Sequence, residues 1–73
     1  SEEYIKERGT VGEDIHEGKR TLMVINSCSP DNKRISEKSK ARLVEILNMK
    51  TNDQKILQEA IDILHDSGSI EYA

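Results

Sequence analysis

The sequence predicts an all-α fold, and three observations carry that expectation. Apolar residues in the second half recur at helical spacing, with Leu43, Val44, Ile46 and Leu47 on one side of one segment and Ile56, Ala60, Ile63 and Leu64 in a stripe on the next. The only candidate strand, Leu22-Met23-Val24-Ile25, has no second apolar run to pair with. Ser, Thr, Pro and Gly also fall where helices start and stop.

Taken in order, residues 1–9 read as a short helical end or an ordered loop. Glu2, Glu3, Lys6 and Arg8 follow the sign order a helix dipole favours, and Gly9 stands where a glycine would close it. Gly12 and Gly18 then bracket an acidic turn, with Asp14 as a candidate N-cap. Residues 21–28 are read as helix and contain the longest apolar run, expected to be buried. Pro30, Asp31 and Asn32 break the chain into a loop, and residues 29–36 are expected to be mobile. The Lys and Arg residues leading up to Lys40 read as a solvated face.

Ser36 or Ser39 caps the next helix, which runs to Leu47, with Asn48-Met49-Lys50 as the turn. Thr51 and Gln54 form a capping-box pattern ahead of the last long helix, with Leu57 and Ile61 beside its stripe. Gly68 closes that helix. Ser69 is placed to cap a further one, begun by Ile70-Glu71-Tyr72-Ala73.

Composition sets the bounds. The 73 residues carry a formal charge of −3, are 34% hydrophobic and include neither Phe nor Trp. That allows one domain at most. Ordering costs roughly 1.5 kcal/mol per residue, so the apolar stripes are expected to need surface from elsewhere. The acidic balance argues against nucleic-acid binding, and no run approaches the roughly 18 apolar residues of a transmembrane helix. One cysteine, Cys28, fits an intracellular, cytoplasmic setting. His16, Cys28 and His65 lack zinc-ligand spacing. His16 reads as exposed, His65 as a cation favoured in a helix's last turn, and no nucleophile motif is present.

The stretch Gly12-Glu13-Asp14-Ile15-His16-Glu17-Gly18-Lys19-Arg20-Thr21-Leu22 sets small residues, acids and a cation pair at the mouth of an apolar run. It is not a P-loop. Five residues rather than four separate the glycines, Arg20 stands in place of the hydroxyl, and three acids would repel a phosphate held by the loop amides. A phosphate here would be met by Lys19 as a point charge. By composition alone Lys19 would be a solvated lysine.

These residues resemble a conserved turn and helix of the trans-isoprenyl diphosphate synthases, most closely the short-chain geranylgeranyl and farnesyl branch. The ending Asp66-Ser67-Gly68-Ser69-Ile70-Glu71-Tyr72-Ala73 is similar to a second signature of the same family. The resemblance implies that residues 1–73 are a C-terminal portion of an isoprenoid-synthase-type helical bundle. It implies a prenyltransferase that joins an allylic diphosphate to isopentenyl diphosphate. It further implies Mg2+ held by aspartate-rich DDxxD motifs outside these residues, a homodimer, and contact between Lys19 and the allylic diphosphate. One departure stands out: Gly9-Thr10 occupies the place of a second diphosphate-binding lysine. Two other readings are a non-catalytic, family-derived regulatory subunit and an unrelated small helical interaction module.

Overall fold

Four helices account for the regular structure among residues 2–70, the residues that the computed structural model describes: α1 (Glu2–His16), α2 (Leu22–Cys28), α3 (Glu37–Met49) and α4 (Gln54–Asp66). No strand occurs among them. The fold is all-α, as an isoprenoid-synthase-type bundle requires. Helix α4 packs against both α1 and α3, and α2 lies against α3 and α4.

Helix α1 does not stop at Gly9, and no acidic turn opens at Gly12. Both glycines lie inside the helix. Two helical glycines cost about 1 kcal/mol each. One turn apart, Val11 and Ile15 are buried in the core, and full burial of such side chains is worth about 1.5–3 kcal/mol each. Burial wins, so the helix continues to His16. Asp14 accordingly sits in the last turn of α1 and is not an N-cap.

Thr21 caps α2 in extended conformation, accepting a hydrogen bond from the Val24 amide at 3.4 Å. Pro30 holds Ser29 extended (φ −60°, ψ 140°), which ends the helix. The run Leu22–Ile25 is helical as read, but it is not buried as a run. Val24 faces the core, whereas Leu22 is 75% and Ile25 54% exposed.

The connection at 29–36 is fastened at two points. Asn32 Nδ2 donates to the carbonyls of Asn26 (3.3 Å) and Ser67 (3.1 Å), and Lys40 Nζ donates to the Ser29 carbonyl at 2.8 Å. Lys40 therefore departs from the solvated face expected of its neighbours. Its stem is buried, and its ammonium is satisfied by Ser29 and by Glu37 at 3.4 Å.

Ser36 caps α3, its hydroxyl accepting from the Ser39 amide at 3.1 Å. The helix runs past Leu47 to Met49, so the turn begins only at Lys50, which is left-handed (φ 50°, ψ 42°). The cap of α4 is Asp53, not Thr51: Asp53 Oδ1 accepts from the Lys55 amide at 2.9 Å. Thr51 Oγ1 instead accepts from the Asp53 amide, and Gln54 turns back to the Asn52 carbonyl. An aspartate at the last extended position satisfies one of the helix's free donors directly, as a cap residue does without a capping box.

The buried stripe of α4 is Leu57, Ala60, Ile61 and Leu64, with Ile56 and Ile63 half-buried beside it. The expected stripe is thus turned by part of a helix face, because α4 is wedged between two partners rather than laid on one. Leu43, Ile46 and Leu47 of α3 face it, with Val44 at the margin. The stripes of α3 and α4 bury one another, while the outer edge of α2 stays bare.

The two ends of the chain's core are tied by hydroxyls. Ser27, fully buried, touches Ser67 Oγ at 2.6 Å and Ser69 Oγ at 2.8 Å. The cluster ends on the carbonyls of Met23 (2.8 Å) and Leu64 (2.7 Å). On the surface, Arg42 of α3 grips Glu59 of α4 with two bonds, at 2.6 and 2.9 Å, and also meets Glu45. Gly68 (φ 85°) closes α4 as the sequence predicts. The expected further helix falls mainly on residues 71–73, outside the described residues.

Candidate functional site: the Gly18 turn

The end of α1 is a Schellman turn. The Lys19 amide donates to the Asp14 carbonyl and the Gly18 amide to the Ile15 carbonyl, both at 2.9 Å. Such a turn needs one left-handed residue, and Gly18 supplies it with φ 73°. A second constraint comes from α3. A Cβ on residue 18 would lie 3.0 Å from the Leu47 carbonyl oxygen and 3.1 Å from Lys50 Cε. The turn is therefore pressed against the end of α3, and only glycine fits without displacing backbone.

The turn delivers Lys19 beside the residue it bonds. Lys19 Nζ stands 3.0 Å from Glu17 and 3.6 Å from Asp14, with its side chain 60% exposed. The hydrogen bond to Glu17, and then the charges of Glu17 and Asp14, raise its pKa above the ordinary lysine value. The ammonium is thus fully charged at neutral pH. Exposed pairs of this kind contribute little to stability, so Lys19 is placed chiefly by the backbone of the turn that carries it.

Arg20 reaches across to α3, where Nη2 donates to Asn48 Oδ1 at 2.8 Å. Thr21 then opens α2. His16 is not an exposed bystander. Half-buried, it bonds through Nδ1 to the Thr51 carbonyl at 2.9 Å. A carbonyl only accepts, so Nδ1 carries the proton. The C-terminal ends of α1 and α3 meet here, and both helix ends favour cations.

Of the residues singled out by sequence, Asp14, Glu17, Gly18, Lys19 and Arg20 come together, whereas Gly12 lies back along α1, facing Ile61. Asn48, Lys50 and Thr51 complete the site from α3 and the turn that follows it. Sequence reading missed them because nothing local marks a helix end as lying beside another turn some thirty residues away. Among the described residues no group of three His, Cys, Asp or Glu side chains could hold a metal ion. None of the described helices is long and apolar enough to cross a membrane. Cys28, free and half-buried, has its thiol pKa pushed up by burial.

No protein-family model and no solved structure matches the chain. Curated relatives do. The chain is 46% identical over 63 residues to a short chain isoprenyl diphosphate synthase of Methanothermobacter thermautotrophicus, covering 86% of the chain and 18% of that protein. It is 46% identical over 63 residues to one of the same name from Methanocaldococcus jannaschii, covering 86% of the chain and 17% of that protein. It is 38% identical over 72 residues to a geranylgeranyl pyrophosphate synthase of Penicillium shearii, covering 99% of the chain and 17% of that protein. The chain thus spans less than a fifth of the length of the curated relatives it matches. Across that span, it belongs to the trans-isoprenyl diphosphate synthase family.

Proposed function

We propose that these residues are a C-terminal portion of a prenyltransferase that condenses an allylic diphosphate with isopentenyl diphosphate, and that Lys19 contacts the allylic diphosphate. The product would be of the geranylgeranyl or farnesyl type. The relatives, named as short chain isoprenyl and geranylgeranyl pyrophosphate synthases, support the activity. One observation supports the role of Lys19: the Gly18 turn is fixed against α3, and the residue it presents carries a charged and exposed ammonium.

In this reaction the bond between the allylic carbon and the diphosphate breaks, and negative charge builds on the departing group. A preorganised cation stabilises that charge more in the transition state than in the ground state. Lys19 would supply it. The described residues do not fit a magnesium site. The family's Mg2+ would be held by carboxylates elsewhere in the longer protein. The bare edge of α2, Leu22 and Ile25, would be covered by other helices of that protein, which we place in the cytoplasm as a homodimer.

The test is steady-state condensation by the full-length protein. Lys19→Ala should lower turnover with the allylic substrate by about 10²–10³, the range for removing one transition-state charge contact. Lys19→Arg should restore part of it, since charge is kept while geometry changes. Unchanged turnover and allylic affinity in Lys19→Ala would remove the site assignment. A folded full-length protein with no condensation activity at all would favour a regulatory subunit, a reading for which Gly9-Thr10 in place of the upstream lysine is the supporting observation.

A further inference from the structure

We propose that Lys50 is a second diphosphate-binding cation, acting beside Lys19 at the Gly18 turn. This rests on the reading that Lys19 contacts the diphosphate, and it deepens it. Charge around the turn gives the first reason. Lys19 is flanked by two carboxylates, Glu17 and Asp14. Those three side chains together are net negative, and by themselves would repel a polyanion. Something must reverse the sign. Arg20 and Lys50 are the other two cations at the turn, and with Lys19 they outnumber the two carboxylates that pair with it. Arg20 is engaged with Asn48. Lys50, exposed, makes no hydrogen bond or ion pair among the described residues, so its ammonium is the unspent one.

Geometry gives the second reason. Lys50 is the only non-glycine residue with positive φ among the described residues. That backbone turns its side chain back over the α1–α2 connection. Its stem crosses Gly18 so closely that a methyl group there would stand 3.1 Å from Cε and 3.4 Å from Cγ. Gly18 therefore serves twice, taking the left-handed conformation and leaving room for the Lys50 stem. The outcome is a lysine from the end of α3 laid against the turn that carries Lys19, although 31 positions separate them in sequence. A diphosphate has two phosphoryl groups, and two lysines carried on different turns can meet it without sharing one oxygen.

A plainer role for Lys50 is that of a left-handed helix end whose charge suits the last carbonyls of α3. The choice of substitution separates the two. Lys50→Gly keeps the backbone conformation and removes the ammonium. Lys50→Asn does nearly the same and serves as a second variant if the first misfolds. Lys33→Gly, in the 29–36 connection, makes the same change in net charge away from the site.

The experiment uses inorganic pyrophosphate as the probe, measured as an inhibitor of the full-length protein against the allylic substrate, with circular dichroism to verify folding. Lys50→Gly and Lys50→Asn should weaken pyrophosphate inhibition roughly tenfold, the scale of one charge-assisted hydrogen bond. Both should also flatten its salt dependence. Lys50→Arg should keep most of the affinity, and Lys33→Gly all of it. If folded Lys50→Gly and Lys50→Asn bind pyrophosphate as the parent does while Lys19→Ala loses it, the Lys50 assignment is overturned and the Lys19 reading stands. If neither lysine matters, both fall. If only the Lys50 variants lose affinity, Lys50 stands as an anion contact and the Lys19 reading fails.

Discussion

Replacing Gly18 by alanine tests the physical basis of the site directly. The residue is held at φ 73°, where an L-residue pays roughly 1–2 kcal/mol. The added Cβ would also stand 3.0 Å from the Leu47 carbonyl oxygen, a backbone atom inside α3 that can yield only slightly. Lys50 Cε, at 3.1 Å, can swing away. The strain is therefore about 1–3 kcal/mol, confined to the turn. Its most local reporter is the Lys19 amide, hydrogen-bonded to the Asp14 carbonyl at 2.9 Å. Raising the native energy of the turn by that amount should speed exchange of this amide about 5- to 150-fold through local opening. Hydrogen exchange on the full-length protein measures it. Gly9→Ala is the matched control. Gly9 lies inside α1 with nothing within 4 Å of a built Cβ, so the same chemical change there should stabilise by about 0.5–1 kcal/mol. Exchange of the Lys19 amide within twofold of the parent in Gly18→Ala would show that the turn is not tightly held. The reasoning that aims Lys19 would then fail.

Three further outcomes follow from the packing. Ser27→Ala removes the fully buried centre of the hydroxyl cluster, and should cost about 1–3 kcal/mol, read as a lower urea midpoint at unchanged slope. Glu59 has its carboxyl pKa held below the ordinary 4.5 by the hydrogen bond from Arg42. The unfolded state therefore binds the proton first, so this contribution is full above the ordinary glutamate range and is lost as pH falls through the lowered value. Glu59→Gln should flatten the acid limb of a stability–pH curve, by a small amount because the pair is solvent-exposed. The 29–36 connection is tied through Asn32 and Ser29 but has no helical ladder of its own, so its amides should exchange faster than those of residues 56–64, and equal protection of the two would count against the expected mobility.

Much of this protein is legible from its residues alone. Helix starts at Thr21, Ser36 and the 51–54 region, the break at Pro30 and the stop at Gly68 are local events, governed by side chains that bond their own backbone or restrict φ. The Glu17-Gly18-Lys19 pattern was legible only through its resemblance to a family signature; read locally, it suggested the start of a helix, whereas the turn closes α1. Tertiary structure decided what depends on burial. Gly9 reads as a stop and Gly12 as the edge of a turn, yet α1 passes through both, since Val11 and Ile15 gain more from the core than two glycines cost. Lys40 reads as surface, yet its ammonium is needed by the Ser29 carbonyl. The run from Leu22 to Ile25 reads as core, yet only one side of a seven-residue helix can face the bundle. Above all, no local pattern could place Lys50 over Gly18. That contact exists because α1 and α3 end at the same point, and where helices end relative to one another is set by packing between them, not by either segment's own sequence.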